Sequence, residues 1–257
     1  MKNDKLRQFL VVFVIISTIF MNYLSNALPF GGQTNAQVSN KYFTDFTPAG
    51  FAFAIWGVIY LGLLGFAVYQ ALPSQRTNPR FRAIGPLVIL NGVFNSLWLP
   101  IFQNEWLFVS VLFISGILFT LYGINFGLRL NAADVPTAEK WLARVPFGLY
   151  FGWVTVATIA NICVWLKSTG WDGGGLAGPV WAQILIAVGL AIGLFVFSRL
   201  RSFSYLLVFV WAFAAIAAGQ QGNGSVSLVA GIGAGIAALV WLISFFNRPK
   251  TPAHSFG

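Results

Sequence analysis

Eight long apolar runs carry no Asp, Glu, Lys or Arg: 8–28, 50–72, 83–102, 106–128, 146–166, 177–198, 203–219 and 226–246. A bilayer core about 30 Å thick needs roughly 20 such residues per helix. Lipid offers no hydrogen-bond partner, so each run must satisfy its own backbone as a helix. The expected fold is an all-α integral membrane protein with eight transmembrane helices. Charged residues make up 8% of the chain, against about 25% in soluble domains, which excludes an ordinary water-soluble core.

The charges between the runs set the expected orientation. With the N-terminus in the cytoplasm and strict alternation, the inner side receives Lys2, Lys5, Arg7, Arg76, Arg80, Arg82, Arg129, Lys140, Arg144, Arg199, Arg201, Arg248 and Lys250, and the outer side only Lys41 and Lys167. By the positive-inside rule this is a multi-pass protein with both termini cytoplasmic, as in a bacterial plasma membrane. The net charge of +9 then belongs to a face turned toward anionic lipid. No compact basic domain is left to bind nucleic acid, and the expected partner is the lipid bilayer. The first run has a rival reading as a signal peptide, with Lys2, Lys5 and Arg7 before it and Ser25-Asn26-Ala27 as a cleavage site.

The stretch Gly170-Trp171-Asp172-Gly173-Gly174-Gly175 is a natural linker. It divides the chain into 1–169, with five helices, and 170–257, with three helices and a short tail. In the second part Gly189 and Gly193, and likewise Gly231 and Gly235, are four apart, a spacing that lets helices approach closely in lipid. Residues 29–50 contain Gly31-Gly32 and Pro48 and read as a loop rather than a helix. A loop of that length suits a lid over a site. The segment after Pro136 predicts a short interfacial helix leading into the fifth run.

One cysteine, Cys163, excludes an internal disulfide and a cysteine metal cluster, and the one histidine, His254, lies in the C-terminal tail beyond the apolar runs, which argues against a zinc site or a histidine-centred triad. The runs bury no ionisable group, which argues against proton-coupled transport. They bury amide and indole instead. Asn91 and Asn95 share one face of the third run with Trp98, and Asn161 lies in the fifth. Amides in hydrocarbon must find partners inside the bundle, either pinning helices or holding a ligand. Trp106, Trp141, Trp165, Trp171 and Trp241 suit the interfacial aromatic belt. Trp56, Trp98 and Trp153 lie too deep for it. A deep indole needs a partner for its N–H or faces a cavity, and several converging rings favour a flat, largely apolar ligand.

These residues are arranged as in the TspO/MBR family, the tryptophan-rich sensory proteins related to the translocator protein. Thr47-Pro48-Ala49-Gly50 followed by Ile55-Trp56-Gly57-Val58-Ile59-Tyr60 resembles the start of the family's second helix. Asn95-Ser96-Leu97-Trp98-Leu99-Pro100-Ile101-Phe102 resembles its third. Trp106 matches the tryptophan that opens the fourth, and Trp153 through Ala157 and Asn161 to Trp165 resembles the fifth. The resemblance covers roughly residues 8–166. It implies a five-helix core that binds tetrapyrroles, with a pocket beneath the first external loop. Carried over by motif, Trp56, Tyr60, Asn91, Asn95, Trp98, Trp106, Ser110, Trp153, Ala157 and Asn161 would line or support that pocket. Ser110 stands where the family often has an aspartate. Ile162 and Cys163 stand where its sterol motif has a tyrosine. The three further helices have no counterpart in the five-helix core.

The implied function is a membrane receptor, sensor or carrier for a porphyrin or haem. No cofactor is required and no catalytic group is assigned. The alternatives are a secondary transporter of a small neutral solute and light-dependent porphyrin breakdown through Trp56 and Trp153. A homodimer is a candidate assembly.

Overall fold

The computed structural model describes residues 3–129 and 135–247. Every regular element among them is helical: α1 (Asp4–Ala27), α2 (Asn35–Lys41), α3 (Ile55–Ala71), α4 (Pro79–Gln103), α5 (Leu107–Gly127), α6 (Thr137–Glu139), α7 (Val145–Ser168), α8 (Gly178–Leu200), α9 (Phe203–Gly219) and α10 (Gly224–Phe246). Among the described residues seven helical stretches are long and apolar enough to cross a membrane, and α9, with 17 residues, is the short eighth. The eight apolar runs therefore all appear as helices.

α1, α4, α5, α7 and α3 close into a ring in that order, each packed on two neighbours. α9 docks on α7, α10 packs on α9, and α8 packs on both α9 and α10 while meeting α7 only sparsely. One continuous cluster of buried apolar side chains runs from Val11 on α1 to Ala237 on α10. The last three helices thus share a core with the first five.

Lipid is as apolar as leucine, so helix pairing depends on close contact and interhelical hydrogen bonds. Gly193 and Gly189 lie against the rings of Phe209 and Phe213. Gly231 and Gly235 do not mediate a close approach, because a β-carbon there would meet nothing within 4 Å. The inward face of α10 is instead Val226, Ala230, Gly233 and Ala237, and Gly233 is the glycine that meets Phe213 and Ile186.

Two further expectations are corrected, and the helices add a feature outside the runs. Residues 29–50 contain a two-turn helix, α2, closed at its start by a capping box between Thr34 and Gln37; the reciprocal bonds stabilise it despite the flanking glycines. The segment after Pro136 is not a separate interfacial helix. α6 passes through a π-helical turn over Lys140–Arg144 directly into α7. Helices also continue beyond the apolar runs and bury ionisable groups at the end that carries most of the arginines. Arg7, 1% exposed, donates to the carbonyls of Phe81 (3.0 Å) and Arg76 (2.9 Å). Glu139, fully buried, accepts from Arg80 Nε at 2.5 Å, Arg80 Nη2 at 2.8 Å and Asn78 Nδ2 at 3.1 Å. Each charge is tolerated because it is paired or multiply hydrogen-bonded.

Candidate functional site

The deep tryptophans meet where α3, α4 and α7 face the interior of the ring. Trp56 stacks on Tyr60 one turn along α3, with centroids 5.3 Å apart. Its edge meets Trp153 at 6.3 Å and Tyr150 at 5.7 Å. Phe53, from the 3-10 turn Gly50–Ala54 before α3, meets Trp153 edge-on at 5.9 Å. On α4, Trp98 stacks on Phe102 at 4.8 Å. Such offset and edge-to-face pairs hold ring orientations beyond simple area burial.

The amides bond to polar groups of neighbouring helices. Asn22 on α1 donates to Asn95 Oδ1 (3.0 Å), and Asn95 Nδ2 donates to the Tyr150 hydroxyl, which ties α1, α4 and α7. Trp98 Nε1 donates to Asn161 Oδ1 (2.9 Å), and Asn161 Nδ2 donates to Ser110 Oγ (2.8 Å), which ties α4, α7 and α5. Asn91 donates to Thr120 Oγ1 (2.8 Å) and to the Ile117 carbonyl (3.2 Å). These three networks pin helices, and Asn161→Leu is expected to lower thermal stability by about 1–3 kcal/mol, because Trp98 N–H is left unpaired. A melt followed by tryptophan fluorescence reads this.

A cavity of about 80 Å³ lies between α4 and α7. Trp98, Phe102, Trp153, Ala157 and Asn161 line it, and Phe46, Thr47 and Pro48 cover it. Trp153 is 3% exposed, and among the described residues neither its Nε1 nor the Tyr60 hydroxyl has a hydrogen-bond partner. Of the sequence-selected residues, Trp98, Trp153, Ala157 and Asn161 line the cavity, while Trp56 backs onto Trp153 and Tyr60 stacks behind Trp56. Asn95 and Ser110 lie one layer behind. Asn91 serves the α4–α5 contact, and Trp106 stands apart at the start of α5, 63% exposed. Sequence reasoning missed Tyr150, Phe53 and Asn22. Asn22 was readable as a polar group within an apolar run.

The cover is fastened at both ends. Glu105, at the α4–α5 turn, accepts from Lys41 (2.6 Å), Tyr42 (2.5 Å) and Gln33 (2.6 Å). It does so from a left-handed backbone position, φ 59°, which is uncommon outside glycine. Phe30 N–H donates to Gln103 Oε1 (2.9 Å). At the far end Gln220 donates to the Thr47 carbonyl (2.9 Å), Ala49 N–H to the Ala215 carbonyl (2.9 Å) and Trp211 Nε1 to the Ala52 carbonyl (3.1 Å). α9 and the residue following it thus hold the second half of the cover.

The bond from Lys41, then those from Tyr42 and Gln33, lower the Glu105 carboxyl to about 2, and the same carboxylate raises Lys41 and Tyr42. A carboxyl lowered in the folded state stabilises above its unfolded value of about 4.3. That contribution fades as pH falls toward about 2. Protection factors at residues 33–42, the intrinsic exchange rate at each pH divided by the observed rate, are therefore expected to stay high at pH 5 and to fall on further acidification. Glu105→Gln should show the faster exchange at neutral pH.

A family model described as TSPO-like protein matches residues 8–243. The match runs through the glycine-rich linker and the last three helices. No curated protein and no solved structure matches the chain.

Proposed function

Because the chain belongs to the TSPO-like family, we propose that it is a membrane receptor or slow carrier for a flat apolar ligand of the tetrapyrrole class, held between α4 and α7 beneath residues 29–50. The observation that carries this reading is that Trp153 lines the cavity and that its buried indole N–H has no partner among the described residues. An unmade buried hydrogen bond is costly, and a ligand acceptor such as a carboxylate or ring nitrogen would satisfy it. The surrounding rings supply stacking faces.

A cavity of about 80 Å³ is far smaller than the roughly 300–1,000 Å³ of small-molecule pockets. The ligand therefore binds only when the cover moves, and the Glu105 cluster is one of the two fastenings that restrain it. Titration of the detergent-purified protein with protoporphyrin, followed by tryptophan quenching and the Soret band, tests the reading. Saturable micromolar quenching is expected. Trp56→Phe/Trp153→Phe should weaken it about tenfold, or ~1.4 kcal/mol, and Glu105→Gln should speed association several-fold. Affinity indifferent to both tryptophans would overturn the proposal.

A further inference from the structure

A second cavity, about 770 Å³, opens between α7 and α8 at the end away from the arginines. Phe46 lines both cavities, and α7 stands between them. The two helices meet where a β-carbon on Gly189 would lie 3.4 Å from Ile159, and they diverge from there toward the linker 171–178. One wall is the α7 stripe Ile159, Ile162, Cys163 and Leu166; the other is Trp181, Ala182, Leu185 and Val188 of α8. Each stripe spans about 10 Å along its helix at 1.5 Å per residue.

The polar groups are confined to the mouth. Asp45 is held by Asn223 (3.4 Å) and reaches the start of α8 beside Gly178. Asp172 uses Oδ1 to accept the Gly174 N–H (2.9 Å). Among the described residues the Lys167 ammonium has no hydrogen bond or ion pair. The rings of Trp171 and Trp181 lie 5.2 Å apart at the same level.

We propose that this cavity binds a single-chain zwitterionic amphiphile, an alkyl chain bearing a phosphate–ammonium headgroup. The apolar stripes take the chain. Lys167 answers the phosphate, while Asp172, Asp45 and the tryptophan pair answer the ammonium, by charge and by the attraction of a cation to an aromatic face. A purely anionic head would meet two carboxylates, and a purely cationic one would meet Lys167. At about 30 Å³ per methylene-sized group, by analogy with water, 770 Å³ holds one short chain with its head and not two chains. This site is independent of the tetrapyrrole reading.

Cys163, the chain's one cysteine, lines the wall and reports on occupancy. The test follows its modification by a small methanethiosulfonate in phosphatidylglycerol nanodiscs, with lysophosphatidylcholine added. Saturable slowing of tenfold or more is expected. An alkyl sulfate, an alkyl trimethylammonium and an alkyl maltoside of equal chain length should each need at least tenfold more for the same protection. Lys167→Gln/Asp172→Asn, two exposed positions, should raise the half-saturating lysolipid concentration at least fivefold. Equal protection by all four amphiphiles, protection that grows without saturating, or protection untouched by the double variant would mean ordinary boundary lipid and would overturn the proposal. Quenching of tryptophan fluorescence by a brominated-chain lysophosphatidylcholine reads the same site without the thiol, and a Trp171→Phe/Trp181→Phe variant quenched as strongly as wild type would overturn the proposal.

Discussion

Arg80→Met is expected to lower the unfolding free energy by about 3–5 kcal/mol, the cost of leaving one partner of a buried ion pair alone. Glu139 is fully buried and, among the described residues, accepts hydrogen bonds from Arg80 Nε and Nη2 and from Asn78 Nδ2. Without the guanidinium, the buried carboxylate loses its counter-charge and pulls α6 out toward water, which loosens the junction between the α3–α4 turn and the start of α7. Arg80→Met/Glu139→Leu should recover most of the loss, because the desolvation penalty disappears with the charge. Thermal melts of the three proteins in one detergent, read by tryptophan fluorescence, decide it. An Arg80→Met melt indistinguishable from wild type would mean that water reaches Glu139.

That pair also marks where the sequence stops being readable. The apolar runs locate all eight long helices because bilayer thickness dictates run length. They do not locate the helix ends, since α1 and the α6–α7 helix extend past them on paired ionisable groups such as Arg7 and Glu139. Tryptophan depth selected Trp56, Trp98 and Trp153, and these do converge. Which indole finds a partner is a tertiary matter: Trp98 reaches Asn161, whereas Trp153 reaches none. α2 was hidden by its glycine and proline neighbours, although its Thr34–Gln37 capping box could have been read from the spacing alone. Spacing likewise left the glycine pairs undecided. Gly231/Gly235 satisfies the same pattern as Gly189/Gly193, and only the packing of α10 shows that it faces away. The 770 Å³ cavity arises because α8 leans on α9 and α10 rather than on α7, which no local pattern encodes.

Gly152→Leu is expected to cost about 3 kcal/mol, the upper end of the range for overpacking, and to release the cover at its C-terminal end. A β-carbon on Gly152 would lie 2.6 Å from the Tyr205 carbonyl oxygen and 2.9 Å from Val208 Cβ. Backbone and a β-branched side chain cannot yield as a flexible chain would. α9 must therefore lift from α7, since close van der Waals contact is what holds two helices together in lipid. With α9 go the bonds from Gln220 to Thr47, from Ala49 to Ala215 and from Trp211 to Ala52. Hydrogen exchange should rise across 44–52 in Gly152→Leu while the contacts among α1, α4 and α5 stay protected. Gly235→Leu, where a β-carbon meets nothing within 4 Å, is the matched control and should leave exchange unchanged. If the two variants behave alike, α9 does not hold the cover. If only Gly152→Leu frees it, the last three helices act on the tryptophan cavity through the cover, although none of their side chains lines that cavity.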